Sequence, residues 1–372
     1  MKKILVNAYL AKNFGDDLFL KILFDRYKNV NWILYDYTIK NGSQQYKKVF
    51  KNYKNVILKQ DIANKYSIVG KIKGKLGIKK DISKLINQCD AGIYIGGSIF
   101  MQLPQWESQY EERENLINRF YEEGKPYFIL GSNFGPYNNI EFIQKYKTLF
   151  NKCKDICFRD EYSYSLFSEL ENVRVNPDIV FQLKYKHNIK IKNTLGISLI
   201  DLNSISSLCK YREIYISKIK ELVLYSINIE KSVTFFSFCN HLGDNKIINE
   251  IIDELDEEYK KQIRVVTYCG DIDEFLKEFS SMENIVATRF HACILSQVFG
   301  QGLYPIIYSD KTYNVLKDIE LDKYYCYVKD IDKLDVENVL DVINSNKMTN
   351  KDVLKESEYQ FLKLDDLLNK GK

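Results

Sequence analysis

Short apolar runs alternate with amphipathic stretches along most of this chain. Lys3–Tyr9 is the first run, and after a glycine-containing loop Asp16–Tyr27 places Leu18, Phe19, Ile22 and Leu23 on one helical face. The unit of strand, loop and helix returns as CDAGIYIGGSIF before Glu107–Glu123, as PYFILGSNFG before Ile140–Phe150, and within DICFRDEYSYSLFSEL. The stretch 184–194, KYKHNIKIKNT, is charged, poor in large apolar residues, and breaks the alternation, so it reads as an interdomain connection. Beyond it the pattern restarts: strands in TLGISLI, KSVTFFSFC, IRVVTY, NIVATR and LYPIIY alternate with helices at Tyr211–Ile227, Asp244–Leu255, Asp271–Phe279 and after Thr288. Such alternation predicts mostly parallel sheets covered on both faces. The expected organisation is therefore α/β, with an N-terminal domain over 1–183, a C-terminal domain over 184–330 and helices over 331–372, one of which could cross back to the first domain. Ligands of open α/β sheets sit beyond the carboxyl ends of the strands, which here means a cleft that the two domains face.

Composition narrows the classes. A length of 372 residues, with 45% hydrophobic and 28% charged, suits a soluble globular protein of two ordinary domains. The formal charge of +4 arises from 54 basic and 50 acidic residues spread along the chain, without the basic block that a nucleic-acid groove needs. MKKILVNAYLAKNFGDD reads as a first strand, not as a signal peptide. No apolar segment reaches the roughly 18 residues that cross a bilayer, so any membrane contact would be peripheral. The 8 cysteines include no CxxC, and the closest pair, Cys153 and Cys157, reads as buried thiols in a reducing compartment, with a cytoplasmic location as the default. GxGxxG is absent, which argues against a dinucleotide cofactor. His187, His241 and His291 are the only histidines and suggest no histidine-rich metal site, although a carboxylate-bound divalent ion stays open.

Candidate chemistry gathers in the loops after strands. In VATRFHACILSQVFGQG, a strand ending near Ala287 puts Thr288, Arg289 and His291 in a turn and first helical turn, where N–H groups and the helix dipole favour an anion. Arg289 adds a fork suited to phosphate or carboxylate. A plain structural reading stands beside this, in which His291 is partly buried and bonds a backbone carbonyl and Arg289 serves a surface carboxylate. Further polar loops carry Asn13, Gly15, Asp16 and Asp17; Gly96, Gly97 and Ser98; Gly131, Ser132, Asn133 and Gly135; Arg159 and Asp160; Asp178; and His241 with Asp244. Glycines there permit close approach of backbone to a ligand, and an aspartate at a helix start caps it or holds a hydroxyl.

These segments together, NFGDD, GGS after GIYI, RDEYS, NPD and above all TRFHACILSQVFGQGLYPIIYSDK, resemble the polysaccharide pyruvyl transferase family from the first strand to about Lys317. The resemblance implies two Rossmann-like domains similar to the glycosyltransferase B type, the first on the acceptor side and the second on the donor side. It implies phosphoenolpyruvate as donor and a pyruvate ketal, on a sugar of a cell-surface polysaccharide or of its nucleotide- or lipid-linked precursor, as product. Arg289 and His291 match the family's active-site arginine and histidine, Arg159 its second arginine, Asp16 its acidic first-loop position, and Lys311 its place in the last segment. Ser98 replaces the third glycine of the family's triplet, and Gln297 and Phe299 replace small residues of the last helix.

The residue inventory suits that chemistry. Ketal formation from an enol phosphate needs a proton on the methylene carbon, attack by two hydroxyls in turn, and loss of phosphate. His291 is the candidate acid, Asp16 the candidate for taking a hydroxyl proton or orienting the sugar, and Arg289, Arg159 and Lys311 the candidate donor-binding cations. No metal or other cofactor is required. The same fold would also suit a nucleotide-sugar-dependent glycosyltransferase or a non-catalytic phospholigand-binding protein, and nothing in the sequence fixes the acceptor or a homo-oligomeric state.

Overall fold

The computed structural model describes residues 1–36, 46, 49–60, 82–186 and 189–369; His187 lies outside these. The chain divides into two compact units, one of Met1–Ala11, Phe19–Asn176 and the chain from Glu358 on, the other of Lys12–Leu18 and Pro177–Ser357. Each holds one sheet.

In the first unit the strands are β1 (Lys3–Asn7), β2 (Asn31–Asp36), β3 (Val56–Gln60), β4 (Ala91–Ile95), β5 (Tyr127–Ser132), β6 (Asp155–Phe158) and β7 (Val173–Val175). They run parallel in the order β3-β2-β1-β4-β5-β6-β7. The central strands read as continuous apolar runs, as expected of a sheet buried on both faces; every residue of β5 is buried. The helices Trp106–Glu122 and Ile140–Phe150 bury an aromatic-rich core in which Phe134 meets Phe167 at 4.7 Å and Phe142 meets Tyr146 at 4.9 Å between ring centroids. The C-terminal segment is part of this unit because its polar groups answer the strand ends. Gln360, fully buried, accepts from the Gly131 N–H at 3.1 Å and donates to the carbonyls of Phe158 at 3.0 Å and Asn176 at 2.7 Å. Arg26 pairs with Asp365 at 2.7 Å.

The second unit contains β8 (Ile191–Ser198), β9 (Ser232–Ser237), β10 (Ile263–Thr267), β11 (Met282–Ala287), β12 (Gly302–Ile307) and β13 (Cys326–Tyr327), parallel in the order β10-β9-β8-β11-β12-β13. β8 already begins at Ile191, three residues before the apolar run resumes at Thr194, and those three residues are exposed. The core here is mainly aliphatic, built from Leu195, Ile197, Ile219, Leu222, Ile247, Ile251 and Ile306 among others. The segment Lys12–Leu18 is fixed in this unit by Phe14, whose ring lies 4.4 Å from Phe275 and 5.1 Å from Tyr268 and whose N–H donates to the Phe238 carbonyl at 3.0 Å. Both sheets thus have the doubly wound Rossmann order, with the direction in which successive strands are added reversing between β1 and β4 and between β8 and β11. No helix among the described residues is long and apolar enough to cross a membrane.

Candidate active site

Several of the candidate side chains lie at the second unit's reversal point. β8 and β11 are neighbours, and their continuations leave in opposite directions; the Thr288 N–H donates to the Ser198 carbonyl at 2.9 Å, and Thr288 Oγ1 lies 2.7 Å from the buried Tyr215 hydroxyl. Arg289 then occupies the cap position of the helix Phe290–Val298, in extended backbone conformation. Its side chain does not cap the helix. It turns to Asp244, the first residue of the helix Asp244–Asp253, with Nε donating to Oδ2 at 3.1 Å and Nη2 donating to Oδ1. Asp244 Oδ2 also accepts the N–H groups of Phe238 and Cys239, each at 3.0 Å, so four donors converge on a carboxylate with no exposure. Burial raises the Asp244 carboxyl above its ordinary range, and Arg289 with the two backbone N–H groups opposes this. Burial likewise pulls the Arg289 guanidinium down, but Asp244 outweighs it and holds Arg289 above its usual value, firmly charged.

His291 sits in the first turn of the helix Phe290–Val298, half-buried beside the Phe290 ring at 5.1 Å. Its imidazole packs on the backbone of Gly15 so closely that a Cβ there would overlap Nδ1, Cγ and Cε1. This explains the glycine: no other residue leaves room for the ring. The helix holding Gly15 starts at Phe14, so Asp16 and Asp17 lie in its first turn and not in a preceding loop. Asn13 Oδ1 accepts the Gly15 N–H at 3.1 Å. Asp17 is fully buried and accepts the Tyr268 hydroxyl at 2.7 Å. Asp16 is half-buried and near Cys239, whose thiol is raised first by burial and also feels Arg289, Asp244 and Asp16. Lys311 lies with Nζ 5.5 Å from the Tyr308 ring, and Tyr308 in turn contributes to the field at Arg289. The second unit therefore gathers Gly15, Asp16, Asp244, Arg289 and His291, with Tyr308 leading to Lys311.

Other candidates also lie in the second unit. His241 is exposed in the turn Asn240–Leu242. Asp178 is buried and caps the turn Ile179–Gln182 through the Val180 N–H at 2.8 Å; that turn packs on the helix Phe290–Val298. Phe299, which could have narrowed a ligand pocket, is buried with its ring 6.1 Å from Tyr185 and 6.5 Å from Phe279. Gln297 is also buried and accepts the Met348 N–H at 2.6 Å. Both replacements serve the core.

The first unit has its own polar group at the ends of β4, β5 and β6. Arg159 is buried, with Nη2 donating to Asn133 Oδ1 at 2.8 Å, and Ser98 Oγ donates to the same oxygen at 3.0 Å. A Cβ on Gly97 would come within 2.7 Å of Arg159 Nη1. The bare α-carbon of the GGS turn thus makes space for a guanidinium, a use of glycine different from exposing backbone N–H groups to a ligand. Asp160 accepts from the Ser163 N–H at 2.8 Å and caps the short helix after β6. Among the described residues, no group of three or more His, Cys, Asp or Glu has an arrangement that could hold a metal ion.

The sequence model of the family described as polysaccharide pyruvyl transferase matches residues 13–310, a span that opens at Asn13 and takes in Arg159, Asp244, Arg289 and His291. The chain belongs to the polysaccharide pyruvyl transferase family. It is a pyruvyl transferase, and phosphoenolpyruvate is its donor substrate. Solved structures with the same two-unit architecture include a UDP-GlcNAc 2-epimerase from Methanocaldococcus jannaschii, 12% identical over 100% of both chains at a TM-score of 0.62. Another is a UDP-GlcNAc 2-epimerase from Neisseria meningitidis bound to UDP-GlcNAc, 10% identical over 99% of this chain and 100% of that one, TM-score 0.59. HepE from Anabaena, in complex with UDP, is 8% identical over 100% of this chain and 99% of that one, also at 0.59. At such identities the likeness concerns the fold: two Rossmann-like units of the glycosyltransferase B type.

The sequence named Arg289 and Asp244 separately and did not show that they pair. It also left Tyr215 and Tyr308 unmarked. The one signal for Asp244 was its place directly after Gly243 at a helix start, where a carboxylate can reach the N–H groups of the preceding strand end.

Proposed function

We propose that this pyruvyl transferase builds a pyruvate ketal on a sugar of a cell-surface polysaccharide, or of its nucleotide- or lipid-linked precursor, and that the second unit's residues carry out the proton chemistry. The observation that carries this reading is the packing of His291 on Gly15, which brings the Asn13–Asp17 segment and the helix Phe290–Val298 together within one unit. Arg289, with Lys311, would bind the carboxylate and phosphate of the donor. His291 gives its proton to the methylene carbon, which becomes the methyl group. The adjacent carbon, now cationic, accepts the first sugar hydroxyl, whose proton passes to Asp16. Phosphate then leaves with its bonding electron pair, the second hydroxyl attacks the same carbon, and its proton is released. Of the two hydroxyl protons, one replaces that spent by His291 and one departs on inorganic phosphate, so the sequence balances without an oxidant or reductant.

General acid catalysis of this kind typically contributes ~10²- to 10⁴-fold in rate. A positive helix start beside His291 also stabilises the donor's negative charge, an effect worth about 0.3–1 kcal/mol at an exposed site. A lipid-linked acceptor would bring the enzyme to a membrane surface without inserting it. Two of the fold's relatives are described with UDP or UDP-GlcNAc bound, which puts sugar nucleotides among the acceptors to try.

The test is a screen of phosphoenolpyruvate against sugar nucleotides and lipid-linked saccharides, read by mass spectrometry for addition of one pyruvyl ketal and by release of one phosphate. Ketal product with stoichiometric phosphate supports the reading. Glycosyl transfer from a sugar nucleotide, with phosphoenolpyruvate unconsumed, would replace it by the glycosyltransferase alternative.

A further inference from the structure

Arg289 cannot offer its whole fork to a donor, because one edge of the guanidinium is already engaged. Nε and Nη2 face the two oxygens of Asp244. What is left for an incoming carboxylate or phosphate is the edge formed by Nη1 and the second N–H of Nη2, an end-on approach. Asp244 is in turn locked by the N–H groups of Phe238 and Cys239 and by its place at the start of a helix, with no exposure to solvent. A long, otherwise adaptable side chain is thereby given one orientation before any ligand arrives, which lowers the ordering cost of binding.

We infer that Asp244 is a positioning residue for the donor: it presents the Nη1–Nη2 edge of Arg289 to phosphoenolpyruvate and forbids the side-on geometry. This rests on the reading of Arg289 as a donor-binding group. A second consequence follows from charge. The Asp244–Arg289 pair is neutral as a unit, so Arg289 contributes directed N–H donors more than net positive field, and discrimination among anions at this position is by geometry.

Asp244→Asn separates positioning from mere structure. The amide oxygen can take the place of Oδ2 and keep the Phe238 and Cys239 N–H groups satisfied, while the amide NH₂ faces Nη2 of Arg289 and turns it away. The experiment is isothermal titration calorimetry of the full chain with phosphoenolpyruvate itself, on the parent, Asp244→Asn, Arg289→Lys and the double variant, with Tm measured on each preparation. Asp244→Asn is expected to stay folded and to bind about ten- to a hundredfold more weakly, the scale of one lost hydrogen bond to a charged group. The double variant should bind no worse than Arg289→Lys alone, because Asp244 acts only through the fork. Should Asp244→Asn fail to fold, Asp244→Glu keeps the charge and shifts the carboxylate by one methylene, and should weaken binding with a smaller change in Tm. Parental affinity in a folded Asp244 variant, alongside a weakened Arg289→Lys, would overturn the inference alone. A parent that does not bind phosphoenolpyruvate would overturn the functional reading and this inference with it.

Discussion

Arg159 in the first unit and Arg289 in the second both follow a parallel strand, β6 and β11 respectively, yet they are seated by different means. Arg159 is given room by a missing side chain, at Gly97, and direction by an amide oxygen of Asn133. Arg289 is given direction by a buried carboxylate that itself collects four donors. An absent Cβ gives room, whereas a buried ion pair is a rigid device whose loss leaves a charge stranded. The two seats should therefore fail differently when disturbed.

The largest expected effect is on the second seat. Asp244→Ala strands the Arg289 cation, and loss of one partner of a buried pair typically costs about 3–5 kcal/mol. Chemical denaturation should show that loss as a lower midpoint, and a change within error would mean that Arg289 finds other partners. Gly15→Ala comes next. The new methyl group must displace His291, and a displacement of about 1 Å at a reacting group can cost about 10²-fold in rate. Turnover should fall while phosphoenolpyruvate affinity changes much less; equal losses in both would argue that the whole loop had moved.

Gly97→Ala probes the first seat and should be milder for stability, about 1 kcal/mol, because the guanidinium tip can yield where a backbone could not. Weakened phosphoenolpyruvate binding is its expected signature, and unchanged binding would remove Arg159 from the donor-binding set. Asn133→Asp is the smallest change in shape and the most pointed, since it puts a carboxylate where Arg159 meets an amide oxygen. Placing a carboxylate against Arg159 should weaken donor binding by about tenfold, or about 1.4 kcal/mol, with the loss greater at low salt. A stronger effect than that of Asp244→Asn would invert the ranking of the two arginines.

Much of the fold was legible in the apolar pattern because central parallel strands are buried on both faces and read as unbroken runs, as in Tyr127–Ser132. Of the edge strands β10 was legible, as IRVVTY, but β3, β7 and β13 were not. β7 and β13 have three and two residues, and β3 leaves Ile57 44% exposed, so none carries a long apolar run. The site was legible as residue types at strand ends: Arg289, His291, Asp16 and Gly15 stand out from the sequence because charge and glycine follow apolar runs. Their partnerships were not legible. Asp244 and Arg289 are 45 residues apart and Gly15 and His291 further still, and pairing at such separation is set by strand order, which local pattern does not encode. The plain reading of Arg289 as the partner of a surface carboxylate is corrected in one respect: Asp244, the carboxylate it meets, has no exposure, and this buried pair is what gives the arginine its orientation. Phe299 and Gln297 were ambiguous for the same reason, since a helix face can be assigned inward or outward only when its neighbours are known.

The central claim is that His291 supplies the proton, and His291→Gln tests it most directly. Glutamine keeps a polar side chain of similar reach but cannot deliver a proton, so an interaction that belongs to the transition state should vanish while ground-state binding persists. On one preparation, phosphoenolpyruvate affinity, Tm and the single-turnover rate with the identified acceptor are measured together. The account predicts affinity and Tm close to parental and a single-turnover rate lower by ~10²-fold or more. A folded His291→Gln protein with parental affinity and a parental single-turnover rate would contradict it.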